Sequence, residues 1–241
     1  MGACQTREIR GDVDAAVGAV HDFAGQADRA GVELLLFPEC FLQGYLVSEE
    51  HVRGQAFEVC SSGFAAVLSR LAAVRQMLVL GMIERHRSRY FNTALVIAGG
   101  HVVGAYRKRF LTGGESVFTP GDAYPVFDCG GVRFGINICY DTQFPQASAA
   151  LAAAGARVLL VPAQNMMRRD KALWWRDRHQ QMRAQRVHET GMWLVSADVT
   201  GERDGARIGL GPTCVTTPAG EVIAQVPTGE TGMAIAAINE P

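Results

Sequence analysis

The sequence predicts an α/β fold, and three observations carry that prediction. Near-continuous apolar runs such as VELLLF (32–37), GVRFGINIC (131–139) and RVLLVPA (157–163) read as strands buried on both faces. Stretches with apolar residues at helical spacing lie between them, so helices should cover sheets. No Pro/Gly/Ser-rich linker, charge block, low-complexity tract or solenoid-period repeat divides the 241 residues, and the expectation is one domain over residues 1–241.

Taken in order, the first element is a helix over 12–30, where Val13, Val17, Val20, Ala24 and Ala27 form an apolar stripe that Gly31 closes. VELLLF follows as a strand and stops at Pro38. A helix is expected near 63–76, strands near 77–84 and 92–98, and a further apolar run before Lys108. A strand near 132–138, a helix near 145–155 and the strand at 157–163 continue the alternation. Residues 168–190 read as a polar helical segment with Trp174 and Trp175 as its aromatic anchor. The tail changes character: GPTCVTTP, GEVIAQVP and GMAIAAIN are short runs between Pro/Gly turns, as expected of antiparallel strands.

A net charge of −1 gives no electrostatic reason to expect nucleic acid or a membrane surface as partner, and a small molecule fits better. The basic residues of 168–190 are interleaved with Asp170, Asp177 and Glu189, which suits a solvated or interface helix. Six scattered cysteines, without a CxxC pair, suit reduced thiols in a cytoplasm. The N-terminus lacks the basic and apolar regions of a signal peptide, and no run is long enough to span a bilayer, so a soluble, cytoplasmic protein is expected.

Chemistry enters at Cys139, which ends an apolar strand and precedes YDTQFPQ and an Ala-rich helical stretch. A thiol at a strand-to-helix turn is fixed by the strand yet presented to a pocket together with the next backbone N–H. An isolated cysteine is more often core packing. Two further segments change the weighting. LLLFPECFLQGY (34–45) puts the carboxylate of Glu39 at a strand end, and YRKRFLTGGESVFTPGD (106–122) puts Lys108 after another apolar run with Glu115 following it.

Glu, Lys and Cys, each at the end of a different strand, resemble the catalytic set of the nitrilase superfamily, the carbon–nitrogen hydrolases. The resemblance runs along almost the whole chain: CQT near the start, FPE then GY, the K…GE…F…GD segment, CYD followed by FP, and PAGEVIAQV (218–226). It implies a four-layer α-β-β-α sandwich and a homodimer or higher homo-oligomer in which the helices around 146–155 and 171–188 meet a second subunit. It also implies a chemistry that uses no metal or organic cofactor. Glu39 would accept the thiol proton of Cys139, and the thiolate would attack a carbonyl carbon. Lys108 and the backbone N–H of Tyr140 would stabilise the oxyanion, and Glu115 would orient Lys108 and Glu39. Tyr45, Tyr140 and Asn165 are candidate pocket residues, while Asp141 is expected to brace the turn.

The favoured activity is therefore hydrolysis of a small amide to a carboxylic acid and ammonia through a cysteine thioester. Alternatives are an N-carbamoyl hydrolase, a nitrilase, or a binding protein that keeps the fold without turnover. CYD rather than CWE at the nucleophile argues against a nitrilase. Relatives acting on carboxylate-bearing substrates often carry arginine three or four residues after the nucleophile, where this chain has Thr142 and Gln143, so such substrates are disfavoured unless Arg168 or Arg169 restores the charge. A zinc hydrolase is excluded at His188–Glu189, because Met192 stands where the second histidine of HExxH belongs, and GLG at 209–211 lacks the spacing of a dinucleotide fingerprint. No histidine sits in a recognisable Cys–His motif.

Overall fold

The computed structural model describes residues 1–238. In chain order the elements are β1 (Gly2–Arg7), α1 (Val13–Ala30), β2 (Leu34–Leu36), α2 (Glu49–Gln55), α3 (Ser62–Leu71), β3 (Met77–His86), β4 (Arg89–Ala98) and β5 (His101–Arg107). There follow β6 (Val126–Cys129), β7 (Val132–Ile136), α4 (Pro145–Ala153), β8 (Val158–Pro162), β9 (Met166–Arg168) and α5 (Arg169–Thr190). The last strands are β10 (Trp193–Ala197), β11 (Val199–Arg203), β12 (Arg207–Leu210), β13 (Cys214–Thr216), β14 (Val222–Gln225) and β15 (Gly232–Ile235).

Among the described residues these strands make two sheets. One runs β5-β4-β3-β2-β1-β11-β12-β9 with β15 also on β1, and the other runs β14-β13-β10-β8-β7-β6. Strands β1, β2 and β3 pair in parallel, as do β7, β8 and β10. β11 also joins β1 in parallel, and the other outer strands add antiparallel.

Side-chain alternation along each strand separates three packing layers. Leu34, Leu36, Val79 and Val96 of the first sheet meet Phe134, Ile136, Leu160 and Val195 of the second in the central core. Leu35, Leu78, Leu80 and Leu95 point the other way, onto the Val17–Val20–Ala24 stripe of α1 and Phe64 of α3. Leu159, Val161 and Leu194 point out of the second sheet onto Leu151 of α4 and Val187 of α5. The result is the α-β-β-α sandwich.

α1 begins where the Asp12 side chain accepts from the Ala15 N–H at 2.9 Å, and it ends at Gly31 in the left-handed conformation. α3 is shorter than the 63–76 expected. It stops at Leu71 because Val74 has to turn into the core, where it is buried, before the chain enters β3. β3 and β4 are longer than expected, since pairing continues through polar ends to His86 and Arg89 across a two-residue turn. The tail strands are antiparallel as expected, yet β15 leaves β13 and β14 to pair with β1 in the other sheet; Asn239, the end of that predicted run, lies outside the described residues. Among the described residues no helix is long and apolar enough to cross a membrane.

Candidate active site

Glu39 is delivered by the chain leaving β2. Pro38 ends the sheet pairing, the Glu39 N–H donates to the Ala163 carbonyl at 3.2 Å, and Cys40 takes φ +48° to complete the bend. This bend lies on Gly81 of β3: a Cβ there would sit 2.3 Å from the Pro38 oxygen and 2.5 Å from the Cys40 nitrogen. Only glycine leaves room for the backbone to pass this close.

Lys108 follows β5, and strand alternation sorts it from its basic neighbours. Arg107 ion-pairs with Glu84 and lies over the Phe91 ring at 4.1 Å, and Arg109 lies over Tyr124 at 5.0 Å. Lys108 turns inward and is only 1% exposed. Its Nζ donates to Glu39 Oε1 at 2.7 Å and to Glu115 Oε1 and Oε2 at 2.8 and 3.0 Å. Asn92, in the middle of β4, donates through Nδ2 to Glu39 at 2.7 Å and to Glu115 at 3.2 Å. Glu115 is in turn fixed by the Thr112 N–H at 2.8 Å.

These contacts set the charges. Burial, reinforced by Glu115 and opposed by Lys108 and Asn92, pushes the Glu39 carboxyl up to about 7. Burial acts the same way on Glu115, but Lys108 and the Thr112 N–H prevail and hold it below the ordinary carboxylate range. Burial would neutralise Lys108, yet the carboxylates of Glu39 and Glu115 keep it well above the usual lysine value. The pair of carboxylates therefore shares one ammonium, and Glu39 is the member poised to exchange a proton near neutrality.

Cys139 sits at the first position of a 3₁₀ turn, Cys139–Gln143, between β7 and α4, with φ +44°. A non-glycine residue in this left-handed region costs about 1–3 kcal/mol and persists only where its surroundings enforce it. Asp141 does so. Its buried carboxylate accepts from the N–H groups of Ile138 (2.9 Å), Arg109 (3.2 Å) and Phe110 (2.8 Å) and from the Tyr106 hydroxyl (2.8 Å). One side chain thus ties the cysteine turn to the chain immediately after Lys108. Burial, then the charge of Glu39, raises the Cys139 thiol well above its ordinary value, so at rest it keeps its proton.

A cavity of about 230 Å³ opens at this turn. Cys139, Tyr140 and Asn165 line it, together with Trp175, Met182 and Arg183 from α5. The thiol lies 3.8 Å from Asn165 Oδ1, and Asn165 is held by Asp198 through its N–H (2.9 Å) and its Nδ2 (2.5 Å). Glu39, Lys108 and Glu115 are not on the cavity wall. Tyr45 is not either; its ring packs 5.8 Å from the Lys108 ammonium, beside a small cluster around Cys40, Val52 and Ile83. Arg168 and Arg169 are exposed, the latter paired with Glu202, and neither reaches the cavity.

Sequence reasoning overlooked Asn92, Asp198, His179 and Arg183. Asn92 was detectable as the one amide inside the apolar run YFNTALVIA, because a buried polar group needs a partner. His179 stacks on Trp175 at 5.0 Å, and burial, aided by Arg183, lowers it to about 3, so it is neutral. The aromatic pair divides: Trp175 faces the cavity while Trp174 is half exposed with Arg178 over its ring.

A model of the family described as carbon–nitrogen hydrolase matches residues 1–240. An (R)-stereoselective amidase of a Pseudomonas species is 31% identical over 212 residues, covering 86% of this chain and 72% of the relative. A nitrilase of Pyrococcus abyssi is 29% identical over 223 residues, covering 89% and 79%. Among solved structures, an amidase from Nesterenkonia sp. AN1 is similar with a TM-score of 0.85 at 26% identity, over 99% of this chain and 92% of that one. A mutant of that amidase, showing Michael addition of acrylamide at its active-site cysteine, has a TM-score of 0.84 at 26% identity over the same shares, 99% and 92%.

Proposed function

The chain belongs to the carbon–nitrogen hydrolase family and is a C–N hydrolase; from that premise we propose that it converts a small amide to a carboxylic acid and ammonia, with Cys139 as nucleophile. The observation that carries this reading is the cavity opening on a strained, braced Cys139 while a carboxyl held near neutrality, Glu39, acts on that thiol by its charge. The amidases among the relatives, one with acrylamide on its active-site cysteine, support an amide as substrate.

In this mechanism ionised Glu39 takes the thiol proton as the Cys139 sulfur attacks the amide carbon. The carbonyl π electrons move onto oxygen, and Lys108 with the Tyr140 N–H stabilises that charge, which is absent in the ground state. Glu39 returns its proton to the nitrogen, the C–N bond breaks, and ammonia leaves a thioester on Cys139. Water, deprotonated by Glu39, then attacks the thioester carbon; the C–S bond breaks, the thiol regains its proton and the acid departs. Glu115 and Asn92 keep Lys108 and Glu39 in register throughout.

The protein works as a single domain, as a homo-oligomer, in a reducing cytoplasm where its six cysteines stay free. The test is ammonia release from a panel of aliphatic amides, carbamoyl compounds and nitriles, with Cys139→Ala as control. Release from amides that vanishes in the Ala variant is the expected result. Release from nitriles or carbamoyl compounds alone, or amide turnover that survives in folded Cys139→Ala, overturns the proposal.

A further inference from the structure

We propose that Arg183 is the specificity residue of the cavity and receives a carboxylate carried by the substrate, so that the preferred amides are monoanionic, with the acid remote from the scissile group. This deepens the amidase reading and rests on it.

The cavity wall holds two cationic side chains, Lys171 and Arg183, and no aspartate or glutamate. Arg183 is 3% exposed, and among the described residues it forms no ion pair; its recorded bond is from Nη1 to the Pro212 carbonyl at 2.8 Å. A guanidinium does not shed its proton, and an interior charge without a counter-charge is costly. Arg186, one turn further along the same helix, is a buried arginine whose charge is paired. It pairs with Glu189 at 2.7 Å and donates to the Thr142 carbonyl at 3.3 Å, although its Nε is left without a partner. Arg183 makes no such ion pair. The charge of Arg183 favours the ionised form of Asp198, but no ion pair or hydrogen bond joins the two; the Asp198 oxygens accept instead from the Asn165 N–H and Nδ2 and from the Val199 N–H at 2.8 Å.

The rest of the wall fits the same ligand. Val161, Ala163, Met167, Trp175 and Met182 offer an apolar passage for a short methylene spacer. His179 adds no charge, because it is held neutral. Thr142 and Gln143, at the positions after the nucleophile, cannot bind a carboxylate by charge. α5 supplies the positive charge in their place, as a planar fork suited to two parallel hydrogen bonds with a carboxylate.

Two measurements test this. The first compares kcat/KM for the monoamide of a short dicarboxylic acid with that for the neutral diamide of the same acid, in the native protein, Arg183→Gln and Arg183→Lys. The native protein is expected to prefer the monoamide, and Arg183→Gln should shrink the ratio about 10- to 100-fold, the usual worth of a charged hydrogen-bonding group. Arg183→Lys, which keeps the charge without the fork, should fall between. No preference in the native protein, or an equal loss on both substrates, overturns the inference. The second measurement is calorimetric titration of the monoamide into Cys139→Ala with and without Arg183→Gln, which reads binding without turnover. An affinity that ignores Arg183 overturns the inference even if amides are hydrolysed. Absence of turnover on any amide, with Arg183-dependent binding intact, would instead overturn only the proposed reaction.

Discussion

Lys108 is where structure most changes the weight of a single residue. In the sequence it stands between Arg107 and Arg109, as a solvated basic edge would. In the fold it is 1% exposed and joins two carboxylates, so Lys108→Ala leaves Glu39 and Glu115 facing one another without a counter-charge. We expect kcat to fall about 10²- to 10³-fold, as for loss of one oxyanion donor, and stability to fall by about 3–5 kcal/mol, as for breaking a buried pair. Lys108→Arg should not restore the rate, because a planar fork cannot occupy the place of a compact ammonium. Steady-state kinetics and denaturant melts check both; an unchanged kcat in folded Lys108→Ala would remove the residue from the reaction. Glu39 gives the pH dependence. It accepts a proton only when ionised and burial holds it at about 7, so kcat/KM should rise as pH increases through about 7 and level off above. The groups facing it are Lys108, Glu115 and Asn92, and Glu115 raises it. Glu115→Gln removes that negative charge and should move the limb to lower pH while kcat drops. A limb that stays in place would assign it to another group.

At the scale of elements, the site depends on how closely strands and turns approach one another. Gly81 illustrates this, since the Glu39 bend runs over it at a distance no side chain tolerates. Gly81→Ala should cost stability and, if the protein folds, lower kcat by displacing Glu39; activity and melting temperature close to those of the native protein would show that the bend is free to shift. This requirement was not legible in LGMIER, because a strand glycine has the same appearance whether or not another backbone lies on it. Glu39, Lys108 and Cys139 were legible as an ordered series, each at or just beyond an apolar run, whereas Glu115, seven residues past Lys108, came only from resemblance to the family's GE segment. Asp141 was expected to brace its turn; that it also holds Arg109 and Phe110 was not, because those bonds span more than thirty positions, with |i−j| of 32 and 31. Arg183 was illegible for another reason. Arginines recur throughout α5, and their spacing does not tell which one faces a cavity and which meets water.

The whole molecule follows from the alternation of buried strands and helices, and the two-sheet sandwich from resemblance, since periodicity marks strands without saying which sheet takes them. β15 shows the limit: its apolar run suits either sheet, and what decides is the Gly2–Gln5 stretch of β1, which β11, pairing only at Thr6 and Arg7, leaves open. The same layering leaves one outer face unexplained by the monomer. α4 and α5 pack over the second sheet; Leu173 and Trp174 of α5 are 51% and 50% exposed, and Ala149 and Ala153 of α4 are exposed as well. Large apolar groups in water on one helix and small ones on the other suit contact with another copy of the chain, because the alanines permit close approach and the tryptophan supplies an anchor. The helices expected from resemblance to meet a second subunit are these two. If the homo-oligomer uses them, Leu173→Glu combined with Trp174→Glu should convert it to monomer, since two carboxylates would be buried without partners. Both side chains are half exposed in the monomer, so the change should leave each protomer folded, with an unchanged circular dichroism spectrum. Sedimentation velocity at micromolar concentration reads the result: an oligomer in the native protein that dissociates in the double variant supports this surface, an oligomer that persists places the interface elsewhere, and a monomeric native protein removes the assembly altogether.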